Sequence, residues 1–278
     1  MVHVWCCNHH AGAPLWAVDR TPDVPTSATR GLGVSTKLSV NLNKIALIRN
    51  SRGTTIPSVI DAAETAIAAG AQGITVHPRP DLRHITPDDV YELSLLCTKK
   101  SVEFNIEGNP YSEPTKIYPG FINLVKDIEP DQCTLVPDSP DQLTSDHGWE
   151  IKVTEHNAIR NIVEEIQTAK TRVSFFVDPN LSQINSINEV GAERIELYTG
   201  PYASNPSPKV LSQYEKAYHH AKDIGLGVNA GHDLDLNNLE LFLSKVPADE
   251  VSIGHALISD ALIKGLDIVA KQYLDLCK

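Results

Sequence analysis

Titratable side chains follow several short apolar runs of this chain, each at the point where the run ends. His77 follows Gly-Ile-Thr-Val, Glu107 follows Phe-Asn-Ile, and His232 follows Asn-Ala-Gly. Histidine titrates near neutral pH, and partial burial can bring the pKa of a glutamate into the same range. These three residues are therefore candidates for general acid/base catalysis. The alternative for each is a polar residue that only satisfies hydrogen bonds at the end of a strand.

Two further groups of residues have the composition of anion-binding sites. The first combines glycines and histidines after the last two apolar runs, at 231–233 and 254–255. The second is basic and consists of Arg52, Arg79, Arg83 and His84. Backbone N–H groups at a helix N-terminus bind phosphate, and so do arginine side chains. Two such groups predict a pair of phosphorylated substrates, or one substrate with two phosphates.

The sequence offers no clear nucleophile or metal site. No Cys or Ser has a matching His/Asp arrangement, and the first apolar run lacks the His-x-His of metal-dependent amidohydrolase-like barrels. Residues 6–10 contain two Cys and two His, but adjacent cysteines do not easily reach one tetrahedral ion. Lys44 is the one lysine beside a strand end, so a Schiff-base aldolase would have to use it. We expect neither a metal nor a cofactor.

Eight short runs rich in apolar and β-branched residues must position these side chains. They lie at 37–42, 73–76, 102–106, 132–136, 172–177, 193–197, 226–229 and 250–253. Their near-continuous apolar character predicts buried strands rather than alternating ones. Helical patterns lie between them, at 57–69, 87–97, 157–170, 208–224 and 235–243. Eight strands that alternate with helices over about 240 residues predict an α/β fold, the (β/α)₈ TIM barrel.

Local signals mark several helix ends and turns. Pro57 has the position of a first helical residue and Gly70 that of a C-cap, and Thr86 is expected to be an N-cap. The segment after the first strand is expected to be a loop that carries Arg52. Gly231 is expected to form a turn that lets the backbone approach a phosphate.

An open doubly-wound sheet is the alternative architecture. It would require Gly-x-Gly-x-x-Gly after the first strand, where this chain has Asn-Leu-Asn-Lys at 41–44. In a barrel the carboxyl ends of all strands meet at one rim, and the active site lies there. The acid/base candidates and both anion-binding groups fall at that rim. This concentration of polar residues exceeds what a purely structural barrel needs.

Composition limits the class of protein further. The chain has 24 Lys and Arg against 35 Asp and Glu, so its net charge of −11 argues against nucleic acid or an anionic membrane as the main partner. No apolar run reaches the roughly 18 residues of a membrane span. The five scattered cysteines indicate reduced thiols and a cytoplasmic protein.

Residues 1–36 differ from the rest of the chain. They contain three prolines and isolated glycines, show no apolar period, and lack the basic start and apolar stretch of a secretory signal. We expect a poorly ordered N-terminal extension at 1–36 and one catalytic barrel domain at 37–278.

Six strings of the sequence, in this order, resemble the pyridoxine 5′-phosphate synthase family. They lie at 40–54, 73–85, 135–137, 196–202, 228–232 and 252–256, within a resemblance that covers about residues 38–275. The resemblance implies a (β/α)₈ barrel with extra helices, assembled as a homo-octamer (a tetramer of dimers). It also implies condensation of 1-deoxy-D-xylulose 5-phosphate with 3-amino-2-oxopropyl phosphate to pyridoxine 5′-phosphate, phosphate and water.

The resemblance also implies a role for each matching position. The general acid/base groups fall on His77, Glu107 and His232. Contacts with the deoxyxylulose phosphate fall on Asn43, Lys44, Arg79, His84 and Thr144. Contacts with the aminoketone phosphate fall on Asn41, Arg52, Asp233, Gly254 and His255. The long polar loop at 137–148 is expected to act as a lid that excludes water from reactive imines.

The sequence departs from the family's pattern at three places, the first of which spans two residues. Asn43 and Lys44 stand where many members have Asp-His, Asp233 where many have Gly, and Tyr198 where many have His. Lys44 still offers a cation to a sugar phosphate, whereas Asp233 fits beside a phosphate only through its backbone N–H.

Two other functions remain open at this point. One is a phosphosugar isomerase or aldolase on the same fold. The other is a non-catalytic barrel that only binds a phosphorylated ligand. The second would retain the anion-binding groups but would have no reason to keep all three acid/base residues.

Overall fold

Eight parallel strands follow one another in sequence order around a closed barrel. They are seen in a computed structural model that describes residues 35–139 and 141–278. The strands are β1 (Lys37–Asn41), β2 (Gly73–Val76), β3 (Glu103–Gly108), β4 (Gln132–Leu135), β5 (Arg172–Val177), β6 (Arg194–Tyr198), β7 (Gly227–Gly231) and β8 (Glu250–Ile253). β8 pairs with β1 and closes the ring. The predicted (β/α)₈ barrel is confirmed.

Eleven α-helices of the described ranges surround the strands. They are α1 (Asn43–Arg52), α2 (Val59–Ala69), α3 (Pro87–Lys100), α4 (Phe121–Ile128), α5 (His156–Gln167), α6 (Leu181–Glu189), α7 (Gly200–Ser204), α8 (Pro208–Asp223), α9 (Leu239–Lys245), α10 (His255–Lys264) and α11 (Leu266–Leu276). Two helices instead of one follow β1, β6 and β8. These additional helices are the extra ones that the resemblance implied.

The strands are buried, as predicted, but most of them alternate between apolar and polar residues, so the predicted near-continuous apolar character was wrong for these. In β1, Leu38 and Val40 belong to the hydrophobic core between strands and helices, whereas Ser39 lies on the other face and contacts Thr75 of β2 (Oγ to Oγ1, 2.7 Å). Gln132 of β4 meets Asn229 of β7 across the barrel (3.4 Å). The barrel interior is therefore polar, and the apolar core forms a ring around it. Burial of one apolar side chain in that ring stabilises the fold by about 1.5–3 kcal/mol.

Helix ends follow the local sequence, with two corrections. Gly70 caps α2 in the left-handed conformation, and Thr86 forms a capping box at the start of α3, both as predicted. Pro57 is not the first residue of α2, because the Ser58 side chain is the N-cap and accepts a hydrogen bond from the Asp61 N–H. The predicted loop after β1 is a helix, α1, and its last turn holds Arg52.

The predicted extension lies outside the described residues except for its last two. The Thr36 N–H donates to the Cys277 carbonyl (3.0 Å), and its hydroxyl donates to the Ala248 carbonyl (2.8 Å). Ser35 also donates to the Cys277 carbonyl. Residues 35 and 36 are therefore joined to the barrel. Within the described ranges, no helix has both the length and the apolar character that a bilayer crossing requires.

Candidate active site

His77 and Glu107 lie side by side at the carboxyl ends of β2 and β3. Their closest atoms, His77 Nδ1 and Glu107 Oε2, are 3.9 Å apart, and both side chains are buried. The Asn41 amide at the end of β1 donates to the same Glu107 oxygen (3.3 Å). Asn43 accepts a hydrogen bond from the His77 N–H (2.9 Å) and so fixes the backbone below the imidazole. Adjacent strands thus bring two of the three acid/base candidates together.

Burial separates the protonation states of this pair. It lowers the pKa of His77 well below 6.5, and the positive charges of Arg79 and Arg83 lower it further. Burial raises the pKa of Glu107 to about 8, with a smaller contribution from the Asp138 charge. At neutral pH the imidazole is therefore a neutral base and the carboxyl is protonated. A base and an acid within 4 Å can both take and give a proton during one reaction.

Glu196 of β6 is a further buried carboxyl that the sequence analysis missed. Burial raises the pKa of Glu196 well above its ordinary value, and the charges of Glu107 and Glu250 add to the effect. Its Oε1 lies against β7, where a Cβ on Gly231 would sit 2.2 Å away. A side chain at 231 would therefore force the Glu196 carboxyl to move from its present position. The strict alternation of β6, Arg-Ile-Glu-Leu-Tyr, is the signal that places Glu196 inside the barrel.

The backbone turn after β7 is made by His232 and Asp233, not by Gly231 as predicted. Both residues have positive φ angles, 83° and 60°, whereas Gly231 is the last residue of the strand. The Thr199 hydroxyl donates to the carbonyls of Gly231 and His232 and holds the turn. This conformation favours glycine, and aspartate is one of the few other residues that adopt it.

His232 lies at the rim three strands away from His77 in the closed ring. Its Nδ1 contacts Asp233 Oδ2 (2.8 Å), and its Nε2 contacts the Thr144 hydroxyl of the loop after β4 (3.1 Å). The Tyr198 ring meets the imidazole edge to face, with 5.2 Å between the ring centres. Tyr198, at one of the three departures from the family's pattern, thus packs directly on His232. A carboxylate, a hydroxyl and an aromatic ring together fix the orientation of this third candidate.

The basic residues after β2 contact the loop that follows β4. The buried Arg79 guanidinium forms an ion pair with Asp138, and Arg83 donates to the Gln142 carbonyl (3.0 Å). Burial lowers the pKa of His84 to about 3, and the charges of Arg79 and Arg83 lower it further. His84 is therefore neutral at physiological pH. It can donate a hydrogen bond to an anion but adds no charge to this group.

The part of the glycine- and histidine-containing anion-binding group that was predicted at 254–255 lies at the start of α10. Gly254 is the N-cap of this helix and His255 is its first residue, so backbone N–H groups point out of the rim there. A Cβ on Gly254 would lie 3.0 Å from Asn41 Cβ, so a side chain would crowd the residue that contacts Glu107.

Arg52 is exposed on the last turn of α1, and within the described ranges no hydrogen bond joins it to another site residue.

A third buried carboxyl, Glu250, lies at the opposite, amino end of its strand, β8. Glu250 accepts from Asn229 (3.2 Å), and burial raises the pKa of Glu250 from its ordinary 4.5 to about 7. The folded state therefore binds more protons than the unfolded state between these two values. In this window the free energy of unfolding falls as pH rises.

We expect Glu250→Gln to become more stable relative to the natural chain as pH rises. Glutamine keeps the size and the hydrogen bond but never ionises, so the penalty at high pH is removed. The difference in free energy of unfolding should grow by roughly 2–3 kcal/mol from pH 5 to pH 8. Urea unfolding at matched protein concentrations measures it, and a difference that does not vary with pH would contradict the prediction.

The cysteines of the described ranges are structural. Cys97, Cys133 and Cys277 are buried and unpaired, and burial raises the pKa of each thiol, which makes it a poor nucleophile. Within the same ranges, no group of three or more His, Cys, Asp or Glu side chains is placed to hold a metal ion. The segment at 6–10 that was considered as a metal site lies outside the described residues.

Comparison with known proteins identifies a family. The family model described as "Pyridoxal phosphate biosynthesis protein PdxJ" matches residues 38–278. A pyridoxine 5′-phosphate synthase of Xylella fastidiosa (strain M23) is 52% identical over 246 residues, which are 87% of this chain and 94% of that protein. A pyridoxine 5′-phosphate synthase of Xanthomonas oryzae pv. oryzae (strain PXO99A) is 49% identical over 250 residues, covering 88% and 98%.

Solved structures with low sequence identity share the fold. A thiamine phosphate pyrophosphorylase from Pyrococcus furiosus has a TM-score of 0.56 at 12% identity and covers 87% of this chain and 95% of its own. A tryptophan synthase from M. tuberculosis has a TM-score of 0.60 at 13% identity and covers 88% and 93%. At this identity the likeness extends to the barrel architecture alone.

Proposed function

The chain belongs to the family of the pyridoxal phosphate biosynthesis protein PdxJ, and we propose that its barrel acts as a pyridoxine 5′-phosphate synthase. It condenses 1-deoxy-D-xylulose 5-phosphate with 3-amino-2-oxopropyl phosphate, giving pyridoxine 5′-phosphate, inorganic phosphate and water. The observation that supports its catalytic centre best is the pair of neutral His77 and protonated Glu107, 3.9 Å apart at the rim. Ring formation by condensation needs several proton transfers. In this pair one group can accept a proton and the other can donate one.

The first bond forms when the amino nitrogen attacks the ketone of the deoxyxylulose phosphate. The resulting carbinolamine loses water, and we assign the proton for that water to the Glu107 carboxyl. Neutral His77 is the base that removes a proton from the carbon next to the imine, and the resulting enamine expels the adjacent hydroxyl as water. The double bond then lies next to the carbon that carries the phosphate ester, so that phosphate can leave and a water molecule takes its place. Each of these transfers contributes a factor on the order of 10²–10⁴ in rate.

The later steps fall to His232 on the other side of the rim. Formation of the single new carbon–carbon bond closes the ring, a dehydration follows, and we assign protonation of the departing oxygen to the His232 imidazole. The contacts of His232 with Asp233 and Thr144 support this assignment, because they orient the ring and join it to the loop after β4. Acid/base groups on two sides of the substrate allow proton transfers on different faces of the growing ring.

The phosphate groups of the two substrates hold the reacting carbons in place. For the deoxyxylulose phosphate we propose Asn43, Lys44, Arg79, His84 and Thr144. For the aminoketone phosphate we propose Asn41, Arg52, Asp233, Gly254 and His255. Binding energy from these remote groups offsets the entropy lost in ordering two substrates. Asn41 and Asn43 also act within the protein, on Glu107 and on the His77 backbone.

A synthesis assay tests the proposed function. Purified protein is mixed with both substrates, and the product is detected by its ultraviolet absorbance and by mass spectrometry. Product is expected only when both substrates are present. Conversion of the deoxyxylulose phosphate alone would favour the phosphosugar isomerase or aldolase. Binding without any turnover would favour the non-catalytic barrel.

We also propose that the protein is cytoplasmic and assembles as a homo-octamer. Unpaired cysteines support a reducing compartment. The family resemblance and the exposed apolar side chains of α10, Leu262 and Ile263, support association between copies. Light scattering coupled to size-exclusion chromatography measures the mass, and a monomeric mass would exclude the octamer.

The loop after β4 is proposed to close over the site through Thr144. We expect Thr144→Val to lower kcat/KM for the deoxyxylulose phosphate about fivefold to tenfold, because it removes one hydrogen bond to His232 and keeps the size of the side chain. Thr144→Ser retains the hydroxyl and is the matched control. Steady-state kinetics measure both variants, and a fully active valine variant would show that this contact has no part in closure.

A further inference from the structure

The Arg79 guanidinium is paired with a carboxylate of the protein itself. Arg79 Nη2 forms an ion pair with Asp138 Oδ2, and the two residues are only 6% and 4% exposed. A buried charge is costly unless it has a partner of opposite sign. Asp138 therefore supplies the countercharge that this arginine needs in the protein interior. The sequence analysis identified Arg79 as a phosphate contact but did not identify Asp138 as its partner.

The ion pair lies in the wall of a cavity that it shares with an acid/base residue. The cavity is small, with a volume of about 30 Å³, and its lining includes His77, Arg79, Asn109 and Asp138. An anion that enters this cavity meets the guanidinium directly beside the His77 imidazole. It also meets the negative charge of Asp138, which competes for the same N–H groups.

Asp138 holds the arginine with one oxygen only. Its Oδ2 accepts from Arg79 and from the Ser145 hydroxyl (2.8 Å), whereas its buried Oδ1 accepts no hydrogen bond within the described residues. A permanent structural pair of this kind typically uses both carboxylate oxygens in a bidentate contact. The one-sided contact leaves a buried oxygen unsatisfied, which makes the pair less stable than its burial suggests.

We propose that Asp138 is a specificity-determining residue that competes with the substrate phosphate for Arg79. A phosphate monoester carries nearly two negative charges at neutral pH and three acceptor oxygens. It therefore displaces the Asp138 carboxylate from the guanidinium, whereas the hydroxyls of an unphosphorylated sugar do not. The inference rests on the proposed function in one respect, that the incoming ligand is a phosphate ester.

The exchange also reaches the loop after β4. Asp138 and Ser145 both belong to this loop, and its Gln142 carbonyl accepts from Arg79 Nη1 (3.4 Å). The same loop carries Thr144, which contacts His232. A guanidinium that turns from Asp138 to a phosphate changes the contacts of this loop. Arrival of the phosphate is thereby linked to the segment that touches the third acid/base residue.

Binding of inorganic phosphate to the full chain, measured by titration calorimetry, tests the proposal. Asp138→Asn removes the competing charge and keeps the size, so phosphate is expected to bind about tenfold more tightly. Ser145→Ala removes the other donor to Asp138 Oδ2, which strengthens the hold on Arg79. Phosphate should then bind about threefold more weakly. If Asp138 instead only positions Arg79, Asp138→Asn weakens binding, and this result or unchanged affinity overturns the proposal.

Two controls assign the effect to this pair. In an Arg79→Gln background, Asp138→Asn should no longer tighten binding, which separates this site from the glycine-containing group at 254–255. Glu165→Gln breaks the exposed ion pair with Lys126 and should leave phosphate affinity unchanged. Circular dichroism shows whether Asp138→Asn folds. If it does not, the phosphate affinity of Ser145→Ala alone tests the proposal. The calorimetry needs no turnover, so absence of synthesis by the natural chain would refute the proposed function without touching this result.

Discussion

Glu107→Gln is expected to lower kcat by about three orders of magnitude while both phosphate substrates bind nearly as before. Glutamine has the shape of a protonated carboxyl, the form that burial favours in this site. It can still accept the Asn41 hydrogen bond, which is 3.3 Å long in the natural chain. It cannot give or take a proton. The variant therefore separates proton transfer from binding, and steady-state kinetics with calorimetry measure the two effects.

The pH profile of the natural chain gives the same residue a second signature. Glu107 has a pKa of about 8, so it is protonated at neutral pH and loses its proton as pH rises through that value. If it acts as the acid, kcat falls above about pH 8. Burial is the main cause of this raised pKa; the charges of Asp138 and Glu250 raise it further, whereas Arg79 and the Asn41 hydrogen bond lower it. The residual activity of Glu107→Gln should lack the alkaline decline.

Glu250→Gln is the matched control for this experiment. It replaces another buried carboxyl with a raised pKa, but at the amino end of its strand, β8. Its kcat should stay within about threefold of the natural value, a difference smaller than 1 kcal/mol. Loss of substrate binding in parallel with turnover in Glu107→Gln would show instead that Glu107 holds the substrate or the fold.

His232→Ala is expected to stop the reaction at a late step and to lower kcat by about two to three orders of magnitude. In the proposed mechanism the first condensation uses His77 and Glu107 at the ends of β2 and β3, so an imine or open-chain adduct should still form. Without the imidazole that protonates the departing oxygen, this adduct should accumulate. Mass spectrometry of quenched mixtures and a new absorbance band after rapid mixing would detect it.

A purely structural role of His232 would give a different result. If the residue only anchors the loop through Thr144, His232→Ala should lose thermal stability and activity together, and no adduct should appear. His220→Ala removes a surface imidazole that contacts Asn185 (2.7 Å) and serves as the control for histidine loss. It should retain natural turnover.

The sequence predicted the barrel because each strand carries β-branched and aliphatic residues on the face that packs against helices. It misjudged the other face, where Ser39, Thr75, Asn105 and Glu196 form a polar interior. The alternation is visible in the sequences of the strands, but parallel barrels ordinarily fill their interior with apolar side chains.

α1 was missed because its polar residues give it a weak amphipathic pattern. Local contacts rather than amphipathic character set the ends of α1. The Asn41 side chain accepts from the Asn43 N–H at the start, and Gly53 adopts the left-handed conformation at the end.

The site could be predicted only one residue at a time. His77 and Glu107 were identified by their positions after strands, but the 3.9 Å contact between them depends on the register of β2 and β3. Asp138 gave no signal, because its partner Arg79 lies 59 residues away on a different loop. Glu196 could have been found from alternation alone. Contacts between loops of different strands are set by barrel closure, which no local pattern encodes.

The left-handed turn at Asp233 limits which residues that position tolerates. The side chain is 45% exposed, and by burial alone almost any residue would fit there. A φ of 60° instead restricts the choice to glycine and to short polar residues such as asparagine and aspartate. Valine, isoleucine and threonine are excluded by their branched Cβ, although nothing crowds them. A narrow choice of residue types at this exposed position would therefore follow from backbone geometry. It would not by itself indicate contact with a ligand.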